Sequence, residues 1–128
     1  MAEMPPDADK ILLRLPVWTI ANLETVEKHG LSVGALGKIC SPELGEFLPV
    51  FSTRELARQF VRQFIKRKEV GAVALLKHKA IRVLVVGKIK AGCKHVGLDI
   101  ENVGGKPTGR FYPIGEFFQR LPPDPEQN

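Results

Sequence analysis

The chain has few of the residue patterns that mark a particular chemistry. It carries two cysteines, Cys40 and Cys93, in 128 residues, too few for the disulfide framework of a small secreted domain. Both are expected to be reduced thiols packed as small apolar groups. There is no CxxC or HxxxH spacing and no GxxxxGK[ST] loop, so no metal or cofactor is expected. Long apolar runs are missing too. The most apolar region, residues 70–89, is broken by Lys77, His78, Lys79 and Arg82, whereas a membrane-spanning helix needs about 20 predominantly apolar residues. The first ten residues hold two prolines and three acids and lack the basic and apolar regions of a signal peptide. The expectation is a cytoplasmic protein with no membrane partner.

What is present fits one globular domain. Apolar residues make up 44% of the chain and charged residues 26%, an ordinary balance. A chain of this length buries roughly two-thirds of its unfolded surface and needs no metal or disulfide to hold a core. The formal charge of +5 hides a division. Between Ser52 and Lys94 twelve basic residues face two acids, a balance of +10, and the remainder carries −5. Such an asymmetry bears on electrostatic partners and not on fold.

Residues 1–10 and 122–128 read as flexible tails around one domain over 11–121. Residues 11–21 are rich in β-formers, and Pro16 marks an edge strand or one that begins near Val17. Asn22 is placed to cap a short helix that ends at Gly30, with Leu23 and Val26 facing inward. Residues 31–39 and 47–51 read as strands joined by the turn-rich SPELGE. FSTREL then forms a capping box, with Ser52 as cap, Glu55 reaching back, and Phe51 and Leu56 as hydrophobic staple. Leu56, Ala57, Phe60, Val61, Phe64 and Ile65 continue as one apolar stripe, which predicts a helix to about Lys68.

Residues 70–76 read as a buried strand. Residues 79–90 are ambiguous. Their β-branched residues suit a strand, while Ile81, Leu84, Val85, Lys88 and Ile89 suit a helical face. The helix is preferred because a strand over 94–100 follows and needs a crossover. In that strand Val96, Leu98 and Ile100 share one face and His95, Gly97 and Asp99 the other. A hairpin-type connection, NVGGKPTG, leads to a strand at 110–113, and Ile114, Phe117, Phe118 and Leu121 mark a last helix stopped by Pro122. The fold class is α/β or α+β, a mixed sheet packed against three or four helices.

Three groups of residues deserve chemical scrutiny. Arg54, Arg58 and Arg62 lie four apart on the side of the helix away from the stripe, Lys66 extends the row, and Arg67 and Lys68 follow. Like charges at that spacing cost a helix about a few tenths of a kcal/mol each, and arginine forms forked pairs with phosphate or carboxylate. The row is either a solvated face or the seat of an anionic partner, protein or nucleic acid. Exposed aromatics for base stacking are not interleaved with it. Cys93, His95 and Asp99 fall on one strand face like a nucleophile, base and orienter. Residues four apart in a strand, however, lie about 13 Å apart along its axis, too far for His95 and Asp99 to hydrogen-bond in a regular strand. The loop GGKPTG has phosphate-loop residues in the wrong order.

PVWTIAN, FLPVFSTRELARQF, KAGCKHVGLDI and FYPIGEFFQRL together resemble the SseB-like domains of bacteria, over about residues 14–121. The resemblance implies the fold and a role as a bacterial accessory or interaction protein, and it brings no catalytic residues with it. The leading expectation is a non-catalytic interaction or regulatory module that binds a protein partner and has an open sheet edge at residues 11–21. The alternatives are a nucleic-acid-binding protein using the basic helix, and a small enzyme using Cys93, His95 or Asp99.

Overall fold

The computed structural model describes residues 15–121; the expected tails and residues 11–14 of the first strand lie outside the described residues. Strand β1 (Val17–Asn22) leads into helix α1 (Leu23–His29). The Asn22 Oδ1 accepts from the amide of Thr25 at 3.0 Å, and Gly30 ends the helix at φ 78°. A 3-10 turn (Val33–Ala35), the short β2 (Cys40–Ser41) and β3 (Gly45–Val50) follow. Helix α2 (Arg54–Phe60) continues as a π turn over Val61–Ile65. Then come β4 (Val70–Leu75), α3 (His78–Lys90), β5 (His95–Val103), β6 (Lys106–Pro113) and α4 (Ile114–Arg120). Residues 79–90 are thus helical, with Ile81, Leu84, Val85 and Lys88 buried and Ile89 turned out.

The strands form two sheets, β1-β4 and β2-β3-β5-β6. Among the described residues only the β3–β5 pair is parallel, and the chain between these two strands holds α2, β4 and α3, the crossover that parallel pairing requires. Trp18 and Phe51 exchange backbone hydrogen bonds of 2.8 and 2.7 Å, which bridges β1 to the end of β3. Side-chain alternation along β1 and β3 then builds two cores. Val17, Ala21, Leu48 and Val50 face Leu84, Val85 and Phe117 beneath α3 and α4. Ile20, Phe47 and Phe51 face Ala57 and Phe60 beneath α2. The fold is α+β, a mixed sheet arrangement between helices.

Four expectations are corrected. Residues 31–39 form no strand: Val33 in the 3-10 turn lies against Gly87 of α3, where an added Cβ would come within 2.9 Å of the Val33 Cβ. The segment is held against a helix and meets a strand at its last residue, where the Ile39 carbonyl accepts from the Phe47 amide of β3 at 2.9 Å. β1 begins at Val17, the alternative Pro16 allowed, and the open edge expected there is closed at Trp18 by the bridge to Phe51, with β4 paired along the other side. Leu23 is 43% exposed instead of facing inward, and it covers Gly71. Val96, Leu98 and Ile100 do not share a face. The β5–β6 register shifts between Leu98 and Glu101, and Asp99 sits at φ 50°. This bulge sends Ile100 into the core beneath α2. There it lies over two glycines, since Cβ atoms added at Gly97 and Gly109 would meet its side chain at 2.7 and 2.8 Å.

Candidate functional site

Helix α2 begins one residue later than the capping box predicts. Thr53 is the cap, and its hydroxyl accepts from the amide of Leu56 at 3.2 Å. Ser52 is occupied elsewhere: its amide donates to Asp99 Oδ1 at 2.7 Å and its hydroxyl to Asp99 Oδ2 at 2.8 Å. Glu55 does not reach back to the cap. Its Oε1 takes the guanidinium of Arg62 at 2.9 Å and the amide of Gln59 at 3.5 Å.

The far end of the helix also departs from the expected α-helix. The amide of Lys66 donates to the carbonyl of Val61 at 2.8 Å, a five-residue closure, and Lys66 itself is left-handed at φ 56°. The wider turn keeps Phe64 and Ile65 against the aromatic core, where the Phe60 and Phe64 rings lie 4.8 Å apart. It also breaks the basic row. Arg54, Arg58 and Arg62 stay together, whereas Lys66, Arg67 and Lys68 follow the helix as its terminus and loop. Arg67 lines a separate cavity of about 430 Å³ with Ile20, Asn22, Leu36 and Phe64.

The three arginines that remain together line one groove. Its volume is about 250 Å³, and its other walls are Leu23, Val61, Val70, Gly71 and Ala72. Arg54 also stands over the ring of the half-buried Trp18, 5.9 Å from the centroid. A guanidinium over an indole is attracted by the face of the ring and held in orientation. The groove therefore has guanidinium donors along one wall and an apolar floor. Forked hydrogen bonding to a carboxylate or phosphate is the chemistry that arginines supply there. Sequence reasoning found the arginines and missed the floor, because Val70, Gly71 and Ala72 read as a buried strand.

Cys93, His95 and Asp99 are not brought together. Cys93 is buried, its Sγ 3.4 Å from the carbonyl of His95 and 3.7 Å from that of Glu46, and burial pushes its thiol pKa up. That disfavours the thiolate a nucleophile requires. Asp99 is turned by its left-handed backbone toward Ser52. The His95 Nδ1 is buried without a hydrogen-bond partner among the described residues. No group of three metal-ligating side chains gathers among those residues, and no described helix is long and apolar enough to cross a membrane. The turn of the β5–β6 hairpin is Gly104-Gly105 at φ 61° and 85°, a two-residue turn for which glycine is favoured.

The basic segment does not make one continuous patch. Arg54 to Lys68 lie on the α2 side. Lys79, Arg82 and Lys90 border a shallow groove of about 560 Å³ on α3, floored by Val83, Val86 and Phe118. Lys88 is withdrawn from the surface entirely, paired with Glu46 at 2.7 Å. Comparison with models of known protein families and with curated proteins finds no match.

Proposed function

We propose that this protein is a non-catalytic interaction module, and that its working surface is the groove between α2 and β4, which receives an acidic segment of a partner protein. The observation that carries this reading is the joint lining of one groove by Arg54, Arg58 and Arg62 over an apolar floor. An arginine wall alone would serve any polyanion. The apolar floor favours a ligand with side chains of both kinds, as a peptide has and a phosphate backbone lacks. Nucleic acid is the less favoured partner because every described aromatic side chain is buried or half-buried, and single-stranded binding uses aromatic platforms. The resemblance to SseB-like bacterial domains supports an accessory role of this kind.

The test is fluorescence anisotropy of a labelled Glu-Val peptide against labelled DNA and RNA oligomers, at about 50 and 200 mM salt. The wild type is compared with Arg58→Glu/Arg62→Glu, whose fold is verified by circular dichroism. Peptide binding that is lost in the charge-reversed protein supports the proposal. So does tighter peptide binding by Glu55→Gln, which frees Arg62 from its internal carboxylate. Nucleic-acid binding that falls steeply with salt, with no peptide binding, refutes it.

A further inference from the structure

We infer that the acidic segment binds as an added β-strand along the free edge of β4. The inference rests on the reading above and specifies how that groove is filled. The backbone register gives the first argument. Both polar groups of Trp18 are taken by Phe51, so in the β1–β4 ladder the Trp18–Ala74 pair is one that exchanges no hydrogen bonds. Alternation then turns the amides of Gly71, Val73 and Leu75 toward β1, and those of Val70, Ala72 and Ala74 away from it. The 2.7 Å bond from the Leu23 amide to the Glu69 carbonyl fits the same phase. No other described strand pairs with β4. Ala72 and Ala74 therefore present a donor and an acceptor each on an open edge, and Ala72 lines the arginine groove.

The composition of the edge is the second argument. Proteins protect edge strands with lysine, proline or bulges. β6, an edge of the larger sheet, is KPTGRFYP and pairs through a bulge. β4 is VGAVAL, with no charge and no proline. A bare apolar edge beside a built charged wall suits strand addition, where backbone bonds supply affinity and alternate side chains supply specificity.

Charge selects the occupant. A second copy pairing β4 with β4 in antiparallel fashion would place both α2 helices on the same face of the joined sheet, bringing two sets of three arginines to one seam. An acidic strand neutralises the wall instead. The periods also match: arginines four apart on a helix are spaced about 6 Å along its axis, and alternate residues of a strand about 6.6 Å. The preferred ligand carries Glu or Asp at every second position.

The experiment uses the full-length protein and three labelled octapeptides: one alternating Glu and Val throughout, the same peptide N-methylated on every Glu, and the same peptide N-methylated on every Val. In an extended strand alternate amides point to opposite sides, so only one set faces β4. The expected result is that methylating one set weakens binding by about tenfold or more while the other set changes it by less than about twofold. Ala72→Pro, which removes an outward donor and no ladder bond, weakens the parent peptide to a similar degree. Equal binding of all three peptides, still dependent on Arg58 and Arg62, overturns strand addition and leaves the acidic-ligand reading standing. Absence of any peptide binding overturns both.

Discussion

Asp99 joins three features usually treated separately: a bulge, a helix start and the placement of the arginine wall. Substituting it separates their energies. Its carboxylate accepts from the Ser52 amide at 2.7 Å and the Ser52 hydroxyl at 2.8 Å, while its backbone is held at φ 50°. Hydrogen bonds to a charged group contribute about 1.5–3 kcal/mol each. Asp99 is half-exposed, and water replaces part of that, leaving about 1 kcal/mol per bond. A left-handed conformation costs an ordinary L-residue about 1 kcal/mol more than asparagine or glycine. Asp99→Ala loses both bonds and bears the strain, for about 3 kcal/mol. Asp99→Gly loses the bonds without the strain, for about 2 kcal/mol after unfolded-state entropy is included. Asp99→Asn keeps an acceptor for the amide and tolerates the backbone, for less than about 1 kcal/mol. Urea titrations at pH 7 read these differences as shifts in midpoint at constant slope. The order Asn, Gly, Ala is the prediction. Asparagine as damaging as alanine would mean that the charge, and not the geometry, holds Ser52; glycine as damaging as alanine would remove the strain argument.

Two other buried groups give independent tests. Lys88 and Glu46 pair at 2.7 Å with side chains 6% and 13% exposed, and the Lys88 ammonium also donates to the Gly37 carbonyl at 3.3 Å. Glu46→Leu alone strands a buried cation and is expected to cost about 3 kcal/mol, whereas Glu46→Leu/Lys88→Met is near neutral. A double variant as unstable as the sum of both single variants would show the pair to be uncoupled. Burial raises the Cys93 thiol pKa above its ordinary value of 9.0, while Cys40 is exposed. Iodoacetamide followed by mass spectrometry should label Cys40 quickly and Cys93 only when urea unfolds the chain. Because the unfolded thiol ionises first, the contribution of Cys93 to stability is complete below about pH 9 and is lost as pH rises beyond it. Equal labelling rates in the folded protein would contradict the burial.

Local signals recovered most elements and few of their relationships. The Asn22 cap and the apolar stripe from Leu56 rest on contacts within a turn or two of sequence, and the chain states those directly; the helix over 79–90 is ambiguous locally and is decided by the crossover that a following strand requires. The choice of Thr53 over Ser52 as cap could not be read, because the group that claims Ser52 is a carboxylate 47 residues away. The reversal of Ile100 depends on a bulge at Asp99, and a single left-handed aspartate leaves no periodic trace. Residues 31–39 alternate well enough for a strand, yet their fate is set by Gly87, which lets Val33 lie against α3. The same limit applies to the candidate site. The arginine row is a helical period and was legible; its floor is contributed by a strand whose apolar run looks alike whether its edge is paired or open.

That last ambiguity has a physical consequence for how charge should be read. Twelve basic residues within 43 positions suggest one polyanion-binding patch, but the crossover between β3 and β5 carries α2 and α3 to opposite faces of the sheets, so the charge is divided by topology. What the groove on the α2 side gathers is three arginines, one of them already held by Glu55 and one lying on Trp18. Such a wall is too small and too partnered for long-range attraction of a phosphate backbone to dominate. Two of its guanidiniums are instead fixed in direction, beside a strand edge that no other described strand pairs with. Oriented charge next to an unfilled ladder discriminates by spacing and not by total charge. On that reasoning an octapeptide with its acids in a block, all the glutamates first and all the valines after, should bind more weakly than the alternating peptide of the same composition and charge. Equal binding would mean that bulk electrostatics alone governs the groove.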